Sequence, residues 1–178
     1  MGAVYIRVAR LITSSNLSDS NFSPNHFERK LSTVNLNPAL YNIKDRINLG
    51  DHQISEDIIN ILTNGSKIQD KTGSAYCLWS YNTVTEQWMV ILNGHNSVFQ
   101  AEIVAIREAC IRACQFSKQS TIWSDSNSSL LSASSFKSES PIPYYIQQIL
   151  HNSTTINLAW VKAQDGTPGN ESADHLAK

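Results

Sequence analysis

The chain has 178 residues, with 14 Lys or Arg against 15 Asp or Glu and a formal net charge of -1. Charged residues are only 16% of the total, below the roughly 25% of an average soluble protein, and 24 Ser and 16 Asn fill the gap. This balance excludes a domain that grips nucleic acid by sheer positive charge and a highly charged disordered tail. The 41% hydrophobic content is enough for a core.

Charge is unevenly split. Residues 1–55 carry six basic and four acidic side chains, and residues 56–178 carry eight basic and eleven acidic ones. An anion-binding role in the second part must account for its surplus of carboxylates.

The start, residues 1–12, is apolar but holds Arg7 and Arg10, which makes it a poor signal peptide. Residues 13–38 are rich in Ser and Asn, contain Pro24 and Pro38, and read as loop. Residues 39–55 have little period. We expect residues 1–55 to be an arm, separate from a domain over 56–178.

From residue 56 the pattern tightens. Ile58 to Leu62 is a short apolar run that reads as a strand ending at Asn64-Gly65. Ser74–Ser80 and Gln87–Asn93 are two more, joined by a polar turn near Asn82, which predicts an antiparallel meander. Ser97 to Ser117 has helical period, with Val98, Ala105, Ile106, Ala109, Ala113 and Cys114 on one stripe. Thr121 to Trp123 is a fourth strand, and residues 127–136 and 144–151 read as helices. Ile156–Lys162 is a fifth strand, and a last helix starts around Glu171. The predicted class is a mixed α/β domain, a meander followed by helix-linked strands.

Cys77, Cys110 and Cys114 are too few and too irregular for a disulfide framework. Cys110 and Cys114 lack a second Cys/His pair and are read as packing residues. No apolar stretch reaches the roughly 18 residues of a membrane span. An intracellular protein with no membrane partner is expected.

Three carboxylates stand out. Glu102 falls in the middle of the apolar stripe of its helix, where a charge is costly unless partnered; a Glu favoured by the helix dipole is the ordinary alternative. Asp125 follows a strand, where active-site groups often sit, and equally suits a helix N-cap. Asp174 suits the first turn of the last helix for dipole reasons. Asn64-Gly65 is, taken alone, a hairpin turn signal. Acids dispersed along the sequence without His/Cys spacing suit an oxygen-liganded Mg²⁺ site that the fold assembles.

The segments Thr63-Asn64-Gly65-Ser66-Lys67, Ser97-Val98-Phe99-Gln100-Ala101-Glu102, Trp123-Ser124-Asp125-Ser126, Trp160-Val161-Lys162 and Gly169-Asn170-Glu171-Ser172-Ala173-Asp174 occur in this order. Over residues 56–178 the chain resembles the ribonuclease H domain that follows the reverse transcriptase in non-LTR retrotransposons. Residues 1–55 then look like a remnant of the region after the polymerase.

The resemblance implies a ribonuclease H-like sheet of three antiparallel then two parallel strands. It implies two Mg²⁺ ions, with Mn²⁺ as a substitute, and hydrolysis of the RNA strand of an RNA–DNA hybrid. One ion lowers the pKa of the attacking water and the other stabilises the leaving oxygen. Glu102, Asp125 and Asp174 match three metal-binding acids of the family. Gly65, Ser66 and Gln100 lie beside the matched positions and would touch backbone or ribose, by minor-groove shape and 2′-hydroxyl contacts.

Two positions depart from the family. Asn64 stands at its first catalytic Asp and keeps one oxygen but no charge. If that removes roughly 3–5 kcal/mol of metal-linked stabilisation, the rate falls by about two to four decades. Gln164 stands where the family often has His, and cannot titrate. The resemblance therefore implies a slow hydrolase, or alternatively an inactive hybrid-binding remnant.

Overall fold

The computed structural model describes residues 15–17, 20–22, 43–50, 54–135, 140–163 and 166–178. The chain divides into two compact units, residues 1–35 with 139–141 and residues 36–138 with 142–178. In the first, β1 (Ser15–Leu17) and β2 (Ser20–Phe22) pair antiparallel, with Ser15 opposite Phe22.

Among its described residues the second unit has six strands: β3 (Ile47–Asn48), β4 (Ile59–Ile68), β5 (Lys71–Ser80), β6 (Thr83–Leu92), β7 (Ser120–Ser124) and β8 (Ile156–Trp160). Four helices accompany them: α1 (Val98–Ala113), α2 (Asn127–Ser134), α3 (Pro141–Asn152, in this unit from Ile142) and α4 (Pro168–Ala177). The sheet order is β3-β8-β7-β4-β5-β6. β4, β5 and β6 are antiparallel, and β7 and β8 continue parallel to β4. This is the mixed sheet expected, with one strand more.

Period-two alternation builds three layers. Ile61, Ile122 and Leu158 face a core shared with Ile103 and Ile106 of α1, Leu130 of α2 and Ile146 of α3. Their neighbours Leu62, Trp123 and Ala159 face the other way, against Ala173 of α4. β4 and β7 are covered on both faces, and so read as continuous apolar or small-residue runs. Edge strand β6 alternates exposed and half-buried positions along its whole length.

The extra strand comes from the segment read as an arm. Ile43 is 2% exposed in the core, and Ile47 pairs parallel with Leu158. Two residues of strand are too short for periodicity to register. Arg46 pins this edge: its guanidinium donates to the carbonyls of Leu150 (3.0 Å), Ser153 (2.7 Å) and Ile156 (2.9 Å).

Four further expectations change. Asn64-Gly65 is not a turn; Asn64 pairs with Ala75 and Gly65 with Ser74 inside the β4–β5 ladder. The chain reverses beyond Ile68, where Gln69 takes φ 54°. The other hairpin does turn at Tyr81-Asn82, both left-handed (φ 50° and 57°), as a two-residue loop requires. α4 begins at Pro168 rather than near Glu171, because Pro is preorganised for the first helical position. Asp174 therefore lies beyond the first turn, and the helix runs ten residues. Cys110 is buried as expected, whereas Cys114 ends α1 exposed.

Candidate active site

Glu102 is placed by the first two turns of α1. Ser97 and Gln100 form a capping box, with Gln100 N donating to Ser97 Oγ (3.2 Å) and Ser97 N to Gln100 Oε1 (2.8 Å). Ser74 of β5 donates from Oγ to the Ala101 carbonyl (2.7 Å) and ties this turn to the sheet. A Cβ on Gly65 would lie 2.5 Å from the Glu102 nitrogen, so only glycine allows α1 to come this close to β4. Lys67 Nζ donates to the carbonyls of Gly94 (2.6 Å) and Asn96 (3.1 Å), closing the loop that leads into the helix.

Glu102 is 5% exposed and its Oε2 has no hydrogen-bond partner. Burial pushes it up to about 8, and the charges of Asp125 and Asp174 push the same way. A backbone hydrogen bond from Gly65 opposes them. Asp125 follows β7 directly. Burial raises it too, against a side-chain hydrogen bond from Asn170, while Asp174 adds repulsion. The Trp160 indole donates to the Asp125 carbonyl (3.3 Å), which ties the strand end to β8. Glu102 thus feels the charges of Asp125 and Asp174, and Asp125 that of Asp174, across 73 positions of sequence.

Asn64 is 5% exposed. By alternation it shares the α4 face of β4 with Leu62 and Ser66. Ser66 Oγ donates to the Ala177 carbonyl (2.5 Å), joining β4 to the end of α4. Asp174 pairs with the Lys178 ammonium. Gln164 lies outside the described residues. Gln100 has its carbonyl oxygen in the capping box, and Ser66 has its hydroxyl on α4.

Asn170 was not singled out from sequence beyond its place in the last matched segment. It is 3% exposed and bonded to Asp125. The only signal for it was that segment, since its role depends on contact with a residue 45 positions away.

Among the described residues no three His, Cys, Asp or Glu side chains converge closely enough to chelate an ion. The acids are coupled at longer range than direct ligation. Their donor set still fits a hydrated Mg²⁺, which uses one or two carboxylates and keeps its waters. The buried, unpartnered Glu102 Oε2 is the observation that favours this fit. A pocket of about 640 Å³, lined by Asn60, Trp79, Tyr81 and Lys162 among others, includes none of the acids. It opens at the start of β4, roughly 13 Å along the strand from Asn64 at about 3.3 Å per residue.

The RNase H family matches residues 56–178. The chain belongs to this family. Among curated proteins, none matches it. Solved structures with the same RNase H fold include the foamy viral protease-reverse transcriptase in complex with RNA/DNA hybrid. The identity there is 22% and the TM-score 0.58, over 72% of this chain and 21% of that one. The same protein in complex with dsDNA gives 24% identity and a TM-score of 0.58, over 68% and 92%. A mutant of the Prototype Foamy Virus enzyme gives 24% and 0.60, over 71% and 21%. The chain spans about a fifth of the first of these relatives. RNase H enzymes normally use divalent metal ions and act on RNA–DNA hybrids. Among the described residues no helix is long and apolar enough to cross a membrane.

Proposed function

We propose that residues 56–178 catalyse metal-dependent endonucleolytic hydrolysis of the RNA strand of RNA–DNA hybrids, at a rate reduced by Asn64. The observation that supports this most is the electrostatic coupling of Glu102 with Asp125 and Asp174 around a buried, unpartnered carboxylate oxygen. Mutual repulsion and burial both penalise the charged acids, and a divalent cation reverses that penalty. Glu102, Asp125 and Asp174, with the amide oxygen of Asn64, would hold two Mg²⁺ ions, or Mn²⁺ in their place.

Bound Mg²⁺ supplies an activated water and stabilises the leaving oxygen, giving 5′-phosphate and 3′-hydroxyl ends. The protein's part is to hold the acids on three separate elements; of the residues expected at backbone and ribose, Gln100 is the candidate contact, since Gly65 is packed against α1 and the Ser66 hydroxyl is donated to α4. Gln164, at the sequence position where the family often has His, can hydrogen-bond but cannot shuttle a proton at neutral pH. Residues 1–55 are read as a remnant of the region after a non-LTR retrotransposon polymerase. A reverse transcriptase in one polyprotein is then the natural partner, and the setting is intracellular.

A second reading is an inactive hybrid-binding domain. Asn64 favours it by removing one charge, and the Lys178 pairing favours it by neutralising Asp174. A hybrid-cleavage assay with Mg²⁺ separates the two, comparing this chain with Asn64→Asp and with Asn64→Asp plus Gln164→His. Slow cleavage rising by two or more decades in Asn64→Asp supports the hydrolase. Hybrid retention without cleavage in every folded form supports the second reading. Cleavage by the original chain at the rate of Asn64→Asp overturns the role given to Asn64.

A further inference from the structure

Among the described residues, two buried side-chain acceptors lack a hydrogen-bond partner: Glu102 Oε2 and Asn170 Oδ1. Both belong to neighbours of the same group. Glu102 is repelled by Asp125, and Asn170 is bonded to it. A buried acceptor left without a donor is costly and uncommon.

The position of Asn170 is set by packing rather than chance. It is the third residue of α4, and the residue before it, Gly169, sits against the sheet. A Cβ on Gly169 would lie 2.9 Å from a Leu62 methyl and 3.1 Å from the Trp79 ring. That close approach presses the first turn of α4 onto β4 and β5 and leaves Asn170 3% exposed. From the other side, Asp125 is fixed by the indole of Trp160 on its carbonyl. The amide of Asn170 can satisfy its donor on Asp125 while its oxygen remains without a donor. A water in the shell of a divalent cation is a strong donor, and Mg²⁺ keeps such waters.

We propose that Asn170 is a positioning residue of the acidic site, which orients Asp125 through its amide group and receives a cation-bound water at its carbonyl oxygen. The inference rests on the metal-dependent reading above. Partners of this kind, one step out from the ligands, typically change metal affinity by about 10–100-fold when removed.

The test measures Mn²⁺ affinity of the full chain by paramagnetic resonance of the free ion, for wild type, Asn170→Ala and Asn170→Ser. Thermal melting of each variant reports its fold. Binding weakened by about tenfold or more in Asn170→Ala, and largely recovered in Asn170→Ser, supports the inference, because a hydroxyl both donates and accepts. Unchanged binding in folded Asn170→Ala overturns it while leaving the metal reading intact. A wild-type chain that binds no Mn²⁺ overturns the cation's part together with that reading. Separately, the side-chain amide resonance of Asn170 should move in metal-free Asp125→Ala. A resonance that stays in place overturns the contact with Asp125 whatever the metal result.

Discussion

Gly65 and Glu102 meet backbone to backbone. A Cβ on Gly65 would stand 2.5 Å from the Glu102 nitrogen and 2.8 Å from the Ala101 carbonyl carbon. Those atoms belong to a helix turn and cannot swing aside. Gly65→Ala should therefore push α1 off β4, with overpacking of about 1–3 kcal/mol. The expected result is a lower melting temperature and weaker divalent-metal binding together. A variant that melts normally and binds metal normally would show that the helix can shift at no cost.

Glu102 gives the metal-free protein a pH dependence of definite sign. Its folded value, about 8, lies above its ordinary value of 4.5. The folded state then holds a proton that the unfolded state has lost. Stability should fall as pH rises from about 4.5 to about 8 and level off above that, by an amount on the order of a few kcal/mol. Urea unfolding in chelator at pH 5.5 and pH 8 measures it. Glu102→Gln should flatten the difference and be the more stable form at pH 8. Equal slopes in both proteins would remove Glu102 as the cause.

Asn64→Asp should act in opposite directions with and without metal. Thr63 pairs with Ser124 in the parallel β4–β7 ladder, so a carboxylate at position 64 follows alongside Asp125, adds repulsion and should lower the metal-free melting temperature. Added Mg²⁺ should raise it more than it raises that of the original chain, by mass action on the folded state. Scanning calorimetry across Mg²⁺ concentrations reads both effects. A variant stabilised in chelator contradicts the proximity of residue 64 to the acids.

Asn64-Gly65 is also a sequence prone to deamidation, since a small following residue leaves its backbone nitrogen free to attack the Asn64 side-chain carbonyl and expel ammonia, after which water opens the ring. In the fold, Gly65 is paired with Ser74 in the ladder and hydrogen-bonded to Glu102. Conversion to Asp should be slow in native protein and fast in urea, as peptide mapping after incubation would show. Equal rates in the two states would mean that β4 opens at this point.

Arg46 carries a load that its surroundings do not advertise. Its hydrogen bonds reach the carbonyls at the end of α3 and at the start of β8. The Leu150 carbonyl is one of those a helix end leaves without partners. Arg46→Ala should cost about 2–4 kcal/mol, at roughly 1 kcal/mol or more per bond. Arg46→Lys should recover only part of it, since an ammonium cannot imitate the planar fork. Hydrogen exchange at Ile156 to Leu158 should speed up in both. A melting temperature within a degree of wild type would refute the pin.

Period and composition were enough to read the mixed α/β class, the antiparallel meander and the two later strands. Long stretches with a uniform 2 or 3.6 residue repeat carry that information locally. Short or two-sided elements do not. β3 is two residues long, and β4 is buried on both faces, so Asn64-Gly65 looked like the end of a strand that in fact continues to Ile68. The matched segments named Glu102, Asp125 and Asp174 as a set, but their mutual repulsion exists only when α1, β7 and α4 are brought together. The same holds for Asn170, whose amide and unpartnered oxygen acquire meaning from Asp125. The surplus of carboxylates over residues 56–178 is visible in the sequence; that Asp125 and Asp174 come within range of the buried Glu102 is decided by packing, because burial strengthens a charge's effect on its neighbours in a way no spacing along the chain records.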